Sequence, residues 1–238
     1  MKKLTTLIFA LFVINIGFSQ NSLGLKVGYT SSNLSNRGEL PSTELKRGYG
    51  LLVGVMRQFG INDKISVITE LNLQQKGVII SGSIPSNDFK SQSIISYLEV
   101  PILLKYSIGE NLKFFGSVGP YLGYAITAKS KNIVTVNDET MTTKTRIKFG
   151  VMPGNYTGKN GYLNKTFNQL EIGLYVGTGI QKRLGTGSLI LDARFGIGLT
   201  DINNTGELYP NGKPDDYKPN KFNNISISIG YLFPFGGN

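Results

Sequence analysis

Seven ionisable residues stand inside otherwise apolar, alternating stretches of the chain: Glu70, Lys76, Glu99, Lys105, Glu171, Asp192 and Arg194. A carboxylate pair such as Glu70 and Glu99 is the equipment of a glycoside hydrolase, in which one acid protonates the leaving oxygen and the other attacks or activates water. The rest of the composition argues against catalysis. The chain has no His, the side chain whose ordinary pKa lies nearest neutrality. That excludes Ser-His-Asp, Asp-His and His-metal designs and leaves only lysine- or carboxylate-based mechanisms. Gly177, Gly179, Gly185 and Gly187 do not form a G-x-G-x-x-G phosphate loop. Asp201, Glu207, Asp215 and Asp216 lack the ordered spacing of a calcium loop and read as solvated. The expectation is a protein that is not an enzyme and holds no metal.

The elements that carry these charges alternate with period two, the mark of a strand with two unlike faces. Eight segments follow the rule: 23–30, 48–55, 65–77, 94–106, 112–126, 170–181, 189–200 and 224–235. In the third, Val67, Leu71 and Leu73 share one parity and Glu70, Asn72, Gln74 and Lys76 the other. In the seventh, Leu189, Leu191, Ala193, Phe195, Ile197 and Leu199 oppose Asp192 and Arg194. A tilted strand crosses a bilayer in about 9–11 residues; six of these segments meet that length, and 23–30 and 48–55 fall just short of it.

The connections between them also alternate. Residues 60–64, 107–111 and 182–187 are tight turns, whereas 31–47, 79–92, 127–167 and 201–222 are long and polar. Short turns on one side and long loops on the other characterise outer-membrane barrels. Aromatics of outward parity fall at strand ends: Tyr29, Tyr49 and Tyr124 at one end, Phe59, Tyr106, Phe114 and Phe235 at the other, as interfacial girdles require. The predicted fold is all-β, an eight-stranded antiparallel up-and-down transmembrane β-barrel with short periplasmic turns and long extracellular loops. Residues 132–149 suit a hairpin around Asn137–Thr140, but Lys144, Arg146 and Lys148 make it too polar for lipid. It is predicted to extend above the membrane.

Met1-Lys2-Lys3, the apolar run to Phe18, and the small residues Gly17 and Ser19 have the form of a secretory signal peptide. Residues 1–19 are therefore expected to be cleaved, leaving 20–238 as one barrel domain in the outer membrane. With no Cys there is no lipoprotein attachment site and no disulfide framework. The net charge of +10 becomes +8 without Lys2 and Lys3. For an exported chain that excess suits anionic lipid or surface polysaccharide better than nucleic acid.

Eight strands enclose a lumen just wide enough for side chains to fill. The inward charges must then be paired, since burying a lone ion costs several kcal/mol, and no room remains for a sugar. They form either a packed polar core or a gate across a narrow pore. Counted from the inner turns, Glu70, Glu99 and Arg194 lie at similar depth, and two neighbouring carboxylates repel. A guanidinium is the natural clamp, so Arg194 is predicted to reach across the lumen to Glu70, Glu99 or both, with Asp192 nearby. Outside, the loop 127–167 sets Lys129, Lys131, Lys144, Arg146, Lys148, Lys159 and Lys165 against Asp138 and Glu139. That composition suits a loop beside lipopolysaccharide phosphates, or a specific anionic partner.

The stretch Tyr97-Leu98-Glu99-Val100-Pro101-Ile102-Leu103-Leu104-Lys105-Tyr106 resembles a recurring segment of the PorT-like, or "porin family", outer-membrane β-barrel proteins of Bacteroidota. Gly24-Leu25-Lys26-Val27-Gly28-Tyr29 and Gly230-Tyr231-Leu232-Phe233-Pro234-Phe235 are similar to the same family. The resemblance spans residues 20–238. It implies the barrel, no cofactor and no catalytic residues, and one branch of the family assists a secretion system. The functional expectation is a structural or surface-interaction protein that meets outer-membrane lipid, lipopolysaccharide and other envelope proteins. The alternatives are a small transport pore and a secretion-assembly component.

Overall fold

The computed structural model describes residues 20–35, 43–84, 87–136, 139–147, 168–203, 212 and 214–235. The expected signal segment, together with Lys148, Lys159, Lys165 and Glu207, lies outside these residues. The described residues form nine strands: β1 (Gln20–Leu34), β2 (Thr43–Gly60), β3 (Ile65–Ile84), β4 (Asn87–Ile108), β5 (Leu112–Val136), β6 (Glu139–Ile147), β7 (Leu170–Leu184), β8 (Gly187–Gly198) and β9 (Phe222–Pro234). Pairing runs antiparallel from β1 through β2, β3, β4, β5, β7, β8 and β9, and β9 pairs back onto β1. Eight strands thus close a ring, as the alternation predicts. Strand β6 stands outside it: β5 pairs with β7 over Leu112–Tyr124 and with β6 over Ala128–Val136.

The outward rows carry the apolar side chains. On β8 the row runs from Leu191 through Ala193, Phe195 and Ile197 to Leu199 beyond the strand end, and on β9 through Ile225, Ile227, Ile229 and Phe233, all exposed. From Leu189 to Leu199 is about ten steps of ~3.3 Å; at a tilt of ~40° they rise about 25 Å, the height of a lipid-facing band. An apolar surface of this extent, repeated round the ring, suits hydrocarbon and not water. Tyr29 and Tyr49 stack at 5.7 Å between centroids at the long-loop end. Tyr106, Phe114 and Phe235 are exposed at the short-turn end. Phe59 departs from the expected girdle. It keeps outward parity but is only 7% exposed, with the Arg57 guanidinium 4.5 Å over its ring.

In two expected loops the described residues are sheet, and the hairpin read over 132–149 is present as the upper part of β5 with β6. Residues 79–92 continue β3 and β4, paired from Val78↔Ser93 out to Ile84↔Asn87, and 127–136 continue β5. Both faces of such an extension meet water, so it needs no apolar row, and the polar composition that reads as loop is equally a strand above the bilayer. Asp201 corrects another reading. It is not simply solvated, because it accepts hydrogen bonds from the backbone N–H of Asn203 (3.0 Å) and Asn220 (3.1 Å) and from the Tyr217 hydroxyl (2.5 Å).

Ala193 lies midway along the β8 row and Leu199 at its end. Ala193→Arg should cost about 2–4 kcal/mol and Leu199→Arg about 0–1 kcal/mol, measured by urea unfolding in lipid vesicles. Equal losses would contradict this placement of the band. Replacing residues 129–166 by a short turn removes β6 and leaves the β5–β7 ladder whole, so the shortened chain should still migrate as a heat-modifiable folded barrel on gels. A chain that never folds would make β6 part of the closed wall.

Candidate functional site in the barrel lumen

Every one of the seven singled-out residues faces inward and is buried: Glu70, Lys76, Glu99 and Lys105 at 0% exposure, with Glu171, Asp192 and Arg194 close behind. Inner parity places them, and the closed ring removes water from them. Their partners follow from register and from the span of the lumen.

Arg194 on β8 stands four strands from Glu70 on β3 by either way round the ring. Its Nη1 and Nη2 donate to Glu70 Oε2 and Oε1, each at 2.8 Å. This is the planar two-bond fork that matches guanidinium to carboxylate. Arg194 Nη2 also contacts Asp192 Oδ2. Lys26 on β1, which the sequence reading passes over, donates to Glu70 Oε2 at 2.6 Å, and Asn72 adds a bond at 2.9 Å. Gly177 lies opposite Arg194 across β7–β8, and a Cβ there would stand 2.8 Å from Arg194 Cγ. Glycine at that position makes space for the arginine stem.

Glu99 does not share this clamp. It pairs with Asn72, not with Glu70, so the two carboxylates are staggered by two residues and each takes its own cation. Lys76 Nζ lies 2.7 Å from Glu99 Oε1 and 2.7 Å from Glu171 Oε1. The Tyr175 hydroxyl donates to Glu99 Oε2 at 2.7 Å and the Tyr121 hydroxyl to Glu171 Oε1 at 2.7 Å. The two phenol rings lie 4.4 Å apart, and both hydroxyls serve the carboxylates held by Lys76. Tyr121 rests where a Cβ on Gly173 would stand 2.4 Å from its ring. The register sets Tyr121 opposite Gly173 and Tyr175 opposite Gly119, and nothing in the sequence spacing marks either phenol as a carboxylate donor.

Lys105 departs from the pairing rule. Among the described residues no carboxylate lies within ion-pair reach of it; its Nζ donates to the side-chain amide oxygens of Gln58 (3.1 Å) and Gln181, and sits 4.3 Å over the Phe115 ring. On the short-turn side of the ion clusters lies an apolar layer of Met56, Ile68, Leu103, Phe115, Ile190 and Leu232. On the long-loop side Tyr97, Ala125, Ile202 and Phe222 pack together. A polar vestibule of about 620 Å³, lined in part by Gln58, Ser66, Ser107 and Gln181, opens at the short-turn end and reaches Leu232 of the first apolar layer.

The arrangement can hold the ring closed, but it offers no reacting centre. Glu70 and Glu99 are each spent on a cation, and the space a sugar would need is occupied. Among the described residues no group of three or more acids is placed to hold a metal ion. Of the basic residues expected outside, Lys129, Lys131 and Lys144 are exposed on the β5–β6 hairpin, and Arg146 takes a register position opposite Lys129.

Comparison with known proteins agrees with this architecture. Solved structures similar to the chain include the attachment invasion locus protein Ail of Yersinia pestis (14% identity, 90% of this chain and 99% of that one, TM-score 0.35). They also include the outer membrane protein OprG of Pseudomonas aeruginosa (15% identity, 91% and 98%, TM-score 0.40) and the outer membrane protein AlkL (12% identity, 95% and 96%, TM-score 0.43). At such scores these likenesses carry no argument of their own. No curated protein matches the chain. The family model of the outer membrane protein β-barrel domain matches residues 18–204. With that match spanning most of its length, the chain belongs to the outer membrane protein β-barrel domain family.

Proposed function

We propose that this protein is a non-enzymatic, sealed barrel of the outer membrane, serving as a structural or surface-interaction element and not as a pore. The observation that carries the reading is the Arg194–Glu70 fork across the full width of the lumen, with an apolar layer on either side of the ion clusters. An ion entering would have to cross both layers and displace a buried partner, and each such exchange strands a charge in a low-dielectric interior. The signal-peptide form of residues 1–19 supports export with cleavage. The segment Tyr97–Tyr106 supports membership of the PorT-like branch of Bacteroidota. A secretion-assembly role is the companion reading, tested by the secreted proteome of a deletion strain; an unchanged proteome removes it.

Reconstituted in a planar bilayer, the wild-type protein should give no steady conductance steps. Regular steps would overturn the sealed reading in favour of a small transport pore. Arg194→Ala leaves Glu70 and Asp192 short of a cation, and should destabilise the barrel by about 3–5 kcal/mol in urea unfolding or admit water and leak. A variant as stable and as silent as the wild type would deny the fork its part in closing the lumen.

A further inference from the structure

The outward face of the sheet does not end at the aromatic girdle. On β5, Tyr124 and Ile126 are exposed on the lipid side, and Lys129 and Lys131 follow, also exposed. Ala128 at 2% exposure takes the inner parity, and Ser130 and Asn132 bond to Ser93 and Ser91 of β4. The hairpin register then sets like against like: Lys131 lies opposite Lys144, and Lys129 opposite the position of Arg146. Lys90 on β4 stands beside them, opposite Ile133 of β5. Facing like charges destabilise a strand pair. Here the hairpin places them in two successive facing rows.

The acids of this region do not offset them. Glu44 is tied to Lys46 at 2.9 Å, and Asp88 sits at the tip, opposite Thr135. Among the described residues no carboxylate lies within ion-pair reach of Lys129, Lys131 or Lys144. Lys129 is about five residues above Tyr124, which at a tilt of ~40° is about 12 Å of rise, just beyond the hydrocarbon edge. Long lysine stems can bend back along the apolar wall and place their ammonium groups lower still.

We propose that this ledge is a docking surface for the phosphorylated headgroup of an outer-leaflet glycolipid, of lipopolysaccharide type. The occupant is a membrane lipid because the ledge stands directly above the lipid-facing wall on the same strand, one bulge beyond Ile126. It is phosphorylated because only closely spaced negative charge answers two rows of cations. The inference rests on the outer-membrane reading above, with the long-loop end in the outer leaflet, and it assigns the contact to particular residues.

The test uses the full barrel purified from outer membranes in mild detergent and titrated with lipopolysaccharide, intact or enzymatically dephosphorylated. Three proteins are compared: wild type, Lys129→Gln/Lys131→Gln/Lys144→Gln, and a control with Lys64→Gln/Lys113→Gln/Lys182→Gln at the opposite end. Wild type and control should prefer the phosphorylated form, and the preference should fall as salt rises. The ledge variant should lose about a hundredfold in affinity, from roughly fivefold for each lysine meeting an anionic surface. A heat-modifiability shift reports that each variant is folded. Should the triple variant fail that check, Lys129→Gln and Lys144→Gln singly should each show a partial loss. Equal binding by folded ledge variants and wild type, or equal binding of both lipid forms by wild type, overturns the proposal. Neither result bears on conductance, so the sealed-lumen reading stands or falls separately.

Discussion

The fork between Arg194 and Glu70 joins opposite walls of the ring, and much of the interior is arranged to allow it. An eight-stranded lumen is too narrow for bulk water and too wide for aliphatic side chains alone to bridge at every level. A long, planar, permanently charged side chain from one wall and a carboxylate from the other span that width with two parallel hydrogen bonds. The neighbours follow from this contact. Gly177 yields volume to the arginine stem, Lys26 and Asn72 add donors to Glu70 Oε2, and Asp192 pairs with the guanidinium from its own strand. Lys76 repeats the device one level up, holding Glu99 and Glu171 from adjoining parts of the ring.

Parity was legible in the sequence because a strand's side chains alternate without exception, so one apolar row fixes which charges face in. Depth was legible only roughly. Glu70 and Glu99 count to similar heights from their turns, yet the register sets Glu99 opposite Asn72, two residues higher. Register depends on turn geometry and on the shear of the closed ring, which no single segment records. Lys26 escaped for a related reason. Its segment is short and glycine-rich, and it reaches Glu70 across β2, where only Gly54 stands between Lys26 and Asn72 in the register. The pattern Gly24-x-Lys26-x-Gly28 did hold the signal: a long cation between two residues without side chains has space to cross a lumen.

The same limit explains the strand extensions. Periodicity detects a strand when its faces differ, and in the membrane band they differ because one meets lipid. Above it the contrast between faces weakens, and 79–92 and 127–131 read as loops although their described residues are paired, whereas 132–149 was legible as the hairpin that β5 and β6 form. A local irregularity marks the change of regime. At Ser96/Tyr97 the β4–β5 register shifts and Ile126 drops out of the ladder. Bulges of this kind re-aim a strand and strengthen its twist. Beyond the bulge β5 also changes partner, from β7 to β6.

The charges buried along the lumen balance as a set but not level by level. Lys26, Lys76, Lys105 and Arg194 match Glu70, Glu99, Glu171 and Asp192 in number. Around Arg194 two cations meet two anions. At Lys76 one cation meets two anions, and the phenols of Tyr121 and Tyr175 supply the donors that a second cation would otherwise provide. The cation that completes the tally is Lys105, held below the apolar layer by two amides and a ring face. A gate that exchanged partners would have to carry Lys105 upward or a carboxylate downward through Met56, Ile68, Leu103 and Phe115. Moving an ion through such a layer costs more than the exchange returns, because each charge already has directed donors or acceptors where it stands. Phenols and amides in place of further ions therefore favour a fixed core over a switch.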